Sequence, residues 1–472
     1  MAAPQARAET WMNHLSDVTE TQRRQVLATS TVAFTACFAV WTIFSIIGVQ
    51  IQQDLGLSDT QFGLLVGTPI LTGSLSRLIL GIWADQLGGR IVNTILMLAA
   101  AIATFILSYA TTYLEFLVAA LGVGLAGGSF AVGIAYVSRW YPKERQGTAL
   151  GIFGMGNVGA AVTKFVAPFV IVAFGWTAVA QYWALGLAVM AVIFYVTTKD
   201  DPVLVEQRRT GEKPQSAAMQ LMPLKKLQVW RFSLYYFFVF GAFVALALWL
   251  PRYYVGAYGL DIRAAGMLGA MYSLPASIFR AAGGWMSDKW GARTIMYWTF
   301  GVSIACTFLL SYPTTHYVVE GIDGPIAFTL AMNVAPFTIL TFVLGFFMSL
   351  GKAAVYKHIP VYYPDNVGSV GGLVGMIGGL GGFVLPVAFG IMNDLTGVWT
   401  SCFMLLFALV GGATLWMHFA ILRMERKAHP ELGDLPELPE MQGLHASVEA
   451  VRRPGINTTR RAPVGATLLP AE

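Results

Sequence analysis

Charge is what this sequence has least of. Only 12% of its 472 residues are Asp, Glu, Lys or Arg, against about 25% in an ordinary soluble domain, which excludes a string of soluble domains of this length. Cysteine is nearly absent as well. The three cysteines, Cys37, Cys306 and Cys402, each fall in an apolar stretch with no metal-ligand spacing, which excludes a disulfide scaffold and a cysteine-based metal site. No nucleophile with a base beside it and no haem-attachment motif can be found, so neither an enzyme nor a cofactor is expected. The opening segment lacks the apolar core of a cleavable signal, since Glu9, His14, Asp17 and Glu20 make it polar.

What fills the chain is apolar sequence: 56% of residues are hydrophobic and the mean hydropathy is +0.62. A span needs about 20 apolar residues to cross ~30 Å of hydrocarbon, and twelve such stretches can be read: 28–51, 61–84, 91–111, 114–138, 147–172, 176–198, 230–251, 264–286, 292–312, 333–356, 368–391 and 398–422. Because only helices satisfy their backbone groups within a single segment in lipid, the expected fold is all-α and polytopic. The segment 199–229, with Lys199, Asp200, Asp201, Glu206, Arg208, Arg209, Lys213, Lys225 and Lys226, divides the spans into bundles at 28–198 and 230–424. Residues 1–27 read as a polar cytoplasmic N-terminal segment, 199–229 as a cytoplasmic linker, and 425–472, rich in Pro, Glu and Arg, as a disordered cytoplasmic tail. The tail's Asn457-Thr458-Thr459 matches a glycosylation sequon but faces the cytoplasm on the topology that follows.

Orientation comes from the loops. Counting from a cytoplasmic N-terminus, the inner loops carry Arg90, Arg139, Lys143, Arg145, the 199–229 cluster, Lys289, Arg293 and Lys357. The outer loops carry only Arg252 and Arg263. This bias puts both termini in the cytoplasm of a multi-pass protein of a bacterial inner membrane. The net charge of +5 and pI near 9.0 therefore report topology and not nucleic acid.

The chain repeats itself. A constant offset lays Gly56-Leu57 on Gly259-Leu260, Gly63 on Gly266, Arg77 on Arg280, Gly81 on Gly284, Asp85 on Asp288, Gly88 on Gly291 and Arg90 on Arg293. A second echo lays Gly147-Thr148, Gly151, Gly154 and Met155 on Gly368-Ser369, Gly372, Gly375 and Met376. Two similar six-helix halves with a ligand near the midplane are a transporter architecture. Gly81-x-x-x-Asp85-x-x-Gly88-x-Arg90 and Gly284-x-x-x-Asp288-x-x-Gly291-x-Arg293 resemble the inter-helix loop signature of the major facilitator superfamily, once per half. In that setting Asp85, Arg90, Asp288 and Arg293 are expected to latch one conformation.

Arg77 precedes Asp85 by two helical turns, which places it about 12 Å inside the boundary at 1.5 Å per residue, and Arg280 stands at the same depth. Burying an Arg at a helix centre costs at least ~2.5–3.5 kcal/mol. No Asp or Glu occurs in mid-span to neutralise either one, since Asp85, Asp288 and Glu115 lie near ends. The missing anion is expected to be the substrate, and a planar guanidinium suits carboxylate, phosphate, nitrate or nitrite. Lys164 and Lys352 also interrupt apolar helices. Either is a candidate for carrying a coupled proton or tuning the anion field, the alternative being a side chain that snorkels to an interface.

Small residues crowd the fourth, fifth and eleventh spans, where they let helices approach and slide. Gly122-x-Gly124-x-x-Gly127 and Gly154-x-Gly156-x-x-Gly159 spell the dinucleotide fingerprint, but that motif requires a strand and a soluble βαβ unit, so it is rejected. The stretches Gly151-Ile-Phe-Gly-Met-Gly-Asn157-Val-Gly159 and Gly368-Ser-Val-Gly-Gly-Leu-Val-Gly-Met-Ile-Gly-Gly-Leu-Gly-Gly382 resemble the two signatures of the nitrate/nitrite porter family, over about residues 28–424. The resemblance implies that Arg77 and Arg280 clamp nitrate between aromatic rings. It matches Phe130 to a ring beside the anion, Asn157 to the asparagine of the first signature, Tyr236 and Phe240 to the pair of the seventh span, and Phe44 to the aromatic of the first span.

Flat, weakly hydrated nitrate fits an apolar aromatic slot with two flat cations. The segment Gly351-Lys352-Ala-Ala-Val-Tyr-Lys357-His358-Ile-Pro360 looks more like the family's proton-coupled importers. The expectation is thus a monomeric secondary transporter that imports nitrate by alternating access with protons. A nitrate/nitrite antiporter is the alternative. An organophosphate or dicarboxylate porter and an anion receptor rank lower. The partners are nitrate, with nitrite possible, protons and the lipid bilayer.

Overall fold

The structure, a computed structural model, describes residues 19–210, 222–363 and 367–428. The N-terminal segment up to residue 18, most of the tail and Asn457 lie outside them. Helices begin where side chains can cap them. Thr19 with Gln22, Ser58 with Gln61 and Thr112 with Glu115 each form a reciprocal capping box ahead of spans 1, 2 and 4. The repeated loop glycines have a backbone reason. Gly88 (φ +98°) and Gly291 (φ +85°) join spans 2 to 3 and 8 to 9 in a conformation that L side chains rarely adopt.

Eleven described helices are long and apolar enough to cross a membrane. The remaining stretch, 264–286, the eighth, is divided into Ile262–Ser273, Pro275–Ile278 and Arg280–Trp290. Pro275 has no N–H to donate, and Phe279, with ψ near 3°, leaves helical geometry immediately before Arg280. With this divided stretch the described residues account for all twelve expected spans. One feature is not helical. Between spans 9 and 10, Thr315–Gly321 and Gly324–Leu330 form an antiparallel β-hairpin. Ile322 and Asp323 make its two-residue turn, closed by the Gly321–Gly324 pair, with Gly324 at φ +123°. Unit by unit, residues up to Ala413 form one compact body; from Thr414 the described chain is helical to Ala428.

Spans 3 and 6, Gly89–Leu107 and Trp176–Thr197, turn Ile102, Phe105, Ile106, Leu185, Val189 and Val192 outward, as lipid-facing helices should. Span 2, Asp59–Leu87, instead packs along span 11, where Val367–Gly379 is followed by Gly381–Thr396. A Cβ at Gly63 would strike the Pro386 carbonyl, and one at Gly390 the Asp59 backbone. Span 5 meets span 8 in the same way, with Gly266 against the Lys164 carbonyl and Pro168. These seams join the two halves.

At the end of the span 2/11 seam that the loop charges assign to the outside, the contact is polar. Arg252 pairs with Asp59 at 3.2 Å, Asn393 donates to Asp59 at 2.6 Å, and the Thr60 backbone N–H donates to Asp394 at 2.8 Å. Gly63→Val is expected to destabilise the protein by about 1–3 kcal/mol through overpacking. It should also speed thiol labelling of a Thr60→Cys probe, read against a background in which Cys37, Cys306 and Cys402 are buried. Unchanged melting and labelling would falsify this account of the seam.

Candidate functional site

The helices that line the middle of the bundle are irregular where the predicted residues lie. Span 1 breaks at Thr42 and Ile43, between Glu20–Trp41 and Phe44–Leu55. Span 4 tightens to a 3-10 turn over Gly124–Gly128, just before Phe130, and span 5 does the same over Met155–Val158, which contains Asn157. Span 7 widens to a π-helical turn over Phe237–Ala242, directly after Tyr236 and including Phe240. Such departures are frequent at functional sites.

Both arginines lie against the aromatic rings gathered there. Arg77 and Arg280 are 3% and 6% exposed, so both charges are buried. Their guanidinium carbons lie 5.2 and 5.5 Å from the centroid of the same Phe130 ring. Arg77 also lies over Trp41 at 5.6 Å and Phe240 at 5.3 Å, and Arg280 over Tyr356 at 5.6 Å. These are cation–π distances. Tyr236 stacks on Phe240 at 5.0 Å and 10°, and Phe240 is nearly parallel to Phe130 at 6.3 Å.

Hydrogen bonding at the site is sparse. Arg77 Nη1 donates to the Gly375 carbonyl at 2.6 Å across the seam. Its Nε and Nη2, Arg280 Nη1, the Tyr236 hydroxyl and both amide atoms of Asn157 are buried without a protein partner among the described residues. No described carboxylate pairs with either arginine; the one buried acid among them is Asp201, in the linker, held at 3.4 Å by Arg139. Buried polar groups are normally bonded. A cluster with both charges of one sign and several unpartnered donors has the chemistry to attract a small anion.

Comparison with known proteins identifies the family. The model of the Major Facilitator Superfamily matches residues 29–318. A Thermus thermophilus protein named "Probable nitrate/nitrite antiporter NarK1" is 45% identical, over 85% of this chain and 92% of its own length. The chain belongs to the nitrate/nitrite porter family of the Major Facilitator Superfamily. A Bacillus subtilis porter named "Nitrite extrusion protein" is 29% identical over 80% of this chain and 90% of its own. The fold also matches a solved bacterial homologue of the human lysosomal transporter Spinster, with a TM-score of 0.66 at 16% identity, covering 85% of this chain and 98% of that one. This porter is accordingly a multi-pass transport protein and not an enzyme.

Of the residues singled out in the sequence, the structure gathers Arg77, Arg280, Phe130, Tyr236 and Phe240 through ring and cation contacts. Asn157 is buried one turn beyond Gly154, which packs on the Arg280 side chain. Phe44 is buried but has no described ring or cation contact with the arginines; Trp41, on the other side of the break in span 1, lies over Arg77. Tyr356 was missed. Its ring meets Tyr236 edge-on at 5.0 Å and its hydroxyl donates to the Gly371 carbonyl at 3.1 Å. Its one signal was its place one turn after Lys352.

The other polar residues take different places. Lys164 is fully buried, donates to the Ala160 carbonyl of its own helix at 3.1 Å, and packs on Gly269 of span 8. Lys352, also fully buried, donates to the Ala276 carbonyl at 2.6 Å. Arg90 donates twice to the Tyr195 carbonyl, at 2.7 and 3.1 Å, and lies 4.3 Å from the Tyr195 ring. Asp288 forms an ion pair with Lys357 of span 10, and Arg293 sits in the first turn of Ala292–Leu310. The Asp85 side chain lies outside the described residues.

Because both amide atoms of Asn157 are unpartnered, Asn157→Leu is expected to stabilise the anion-free porter by about 1–3 kcal/mol. A thermal scan in detergent checks this. A lowered midpoint would mean that the amide is already satisfied.

Proposed function

We propose that this porter imports nitrate across a bacterial cytoplasmic membrane by alternating access, the anion being clamped between Arg77 of one half (28–198) and Arg280 of the other (230–424), with both termini cytoplasmic. One observation carries the reading: two buried guanidinium groups, one from each half, share the Phe130 ring and have no carboxylate among the described residues to neutralise them. The relatives' names supply the substrate, and the physics suits it. Nitrate is flat and weakly hydrated, so it can accept parallel N–H bonds from a guanidinium while its faces lie against Tyr236, Phe240 and Phe130. Tetrahedral phosphate, which holds its water tightly, would need more donors around it than the two guanidinium groups, the Tyr236 hydroxyl and the Asn157 amide supply between aromatic faces. With the anion bound, the cations of the two halves attract a common centre and do not repel one another, and that change in sign permits the halves to rock.

Import of an anion against an interior-negative potential costs about 2.3 kcal/mol per charge per 100 mV, so protons must accompany nitrate or another anion must leave. We favour symport, with Lys164 the leading carrier of the proton. Its ammonium has one described hydrogen bond, to its own helix, and lies at the seam between spans 5 and 8 that alternating access must open. Nitrate/nitrite exchange is the second reading, favoured by the printed name of the Thermus thermophilus relative. Asp85, Arg90, Asp288 and Arg293 would act as a latch at the cytoplasmic end of the bundle.

Arg77→Lys or Arg280→Lys is expected to weaken nitrate binding about tenfold to a hundredfold, the worth of one charged hydrogen-bond set, and to stop uptake while the protein still reaches the membrane. Normal uptake by both variants would overturn the clamp. In proteoliposomes, a pH gradient with no internal nitrite should drive accumulation of labelled nitrate. Accumulation only with nitrite inside, indifferent to pH, would establish exchange instead.

A further inference from the structure

The two arginines are matched in sequence but mounted differently. Arg77 projects from the uninterrupted helix Asp59–Leu87 and is tied to the opposite half by its bond to the Gly375 carbonyl. Arg280 is the first residue of a new helix, directly after the break at Leu274–Phe279, and Nη1 of its guanidinium has no protein partner among the described residues. A buried helix break frees carbonyls that must find donors. Here they come from side chains. The Ser277 hydroxyl donates to the Ser273 carbonyl at 2.7 Å, and the Lys352 ammonium to the Ala276 carbonyl at 2.6 Å.

The Ala276 carbonyl is the one that the N–H of residue 280 would take in a continuous α-helix. Lys352 is held from its other side as well, with Nζ 3.5 Å from the centroid of the Phe243 ring in span 7. It thus connects spans 7, 8 and 10 at the turn that launches Arg280. Around it the helices are in close contact, since a Cβ at Gly283 would meet the Leu350 backbone and one at Gly345 the Tyr272 carbonyl.

We infer that Lys352 is a positioning residue for Arg280: its ammonium, braced on Phe243 and bonded to the Ala276 carbonyl, keeps the helix of span 8 broken at the point that aims the Arg280 guanidinium at the anion. The inference rests on the reading of Arg280 as one arm of the nitrate clamp. It differs from a proton-carrying role, in which Lys352 would have to exchange its proton with water once per cycle and release the Ala276 carbonyl each time.

Double-mutant cycles on the binding of labelled nitrate to the full chain in proteoliposomes test it. Lys352→Met is expected to weaken binding about tenfold in the wild-type background and again in Arg77→Lys, but less than about twofold in Arg280→Lys, because residues that act together are not additive. Equal losses in both arginine backgrounds, or no loss at all, overturn the strut. If Arg280→Lys alone binds nitrate as the wild type does, it is the clamp that fails, and the two failures are thereby told apart. Phe243→Leu removes the brace and leaves the ammonium. It carries the same cycle should Lys352→Met not reach the membrane, with an expected loss of about threefold confined to backgrounds that retain Arg280. The pH profile gives an independent readout: with a strut, uptake by Lys352→Met keeps the wild-type dependence on the pH gradient at a raised KM. Loss of that dependence with binding intact would make Lys352 the proton carrier and overturn the proposal.

Discussion

Two positive charges are buried in the middle of this bundle, and among the described residues no carboxylate neutralises them. Each costs at least ~2.5–3.5 kcal/mol at that depth, and the surrounding structure lowers the cost without cancelling it. Aromatic faces from spans 1, 4, 7 and 10 supply quadrupoles beneath the guanidinium groups, and one carbonyl accepts from Arg77. No described carboxylate does. On the proposed clamp a permanent acid there would defeat the purpose, because a neutralised guanidinium has little left to offer an incoming anion.

That constraint extends into the backbone. Spans 3, 6 and 9 are unbroken α-helices, whereas spans 1, 4, 5, 7, 8 and 11 all depart from α geometry in their interior. Freed backbone groups survive at membrane depth only where protein or a polar cavity can satisfy them, so irregular turns are confined to helices turned toward the centre. The breaks re-aim the side chains beside them, as at Phe130, Asn157 and Arg280. Glycine then allows neighbouring helices to close around the result. Gly154 accommodates the Arg280 side chain and Gly379 that of Arg77, and a Cβ at either place would come within about 3 Å of the guanidinium group.

Much of this was legible along the chain. Apolar length and loop charge gave the spans, because lipid leaves a helix no alternative way to satisfy its backbone. The repeated Gly-x-x-x-Asp-x-x-Gly-x-Arg pattern marked two equivalent turns, and Gly88 and Gly291 take a positive φ there. The pairing of Arg77 with Arg280 could be anticipated because a charge in mid-span is conspicuous against an apolar background. Aromatic residues are not conspicuous there. Trp41 and Tyr356 gave no signal of their own, since the break at Thr42 and Ile43 alters which face the first span presents and ring contacts between helices leave no mark in spacing. Helical periodicity cannot register such a break.

The sequence by itself therefore determined the class of protein and its multi-pass helical character, both of which follow from where charge and apolar length occur. Tertiary structure alone decided which rings meet the cations, that Arg90 turns to the Tyr195 carbonyl, that Asp288 pairs with Lys357, and that the eighth span breaks ahead of Arg280 with Lys352 on the carbonyl of Ala276. The reason is geometric. Each of these contacts joins groups on different helices or follows a break that shifts the helical phase, and neither the register between helices nor the angle of a break is recorded in the order of residues along one strand of chain.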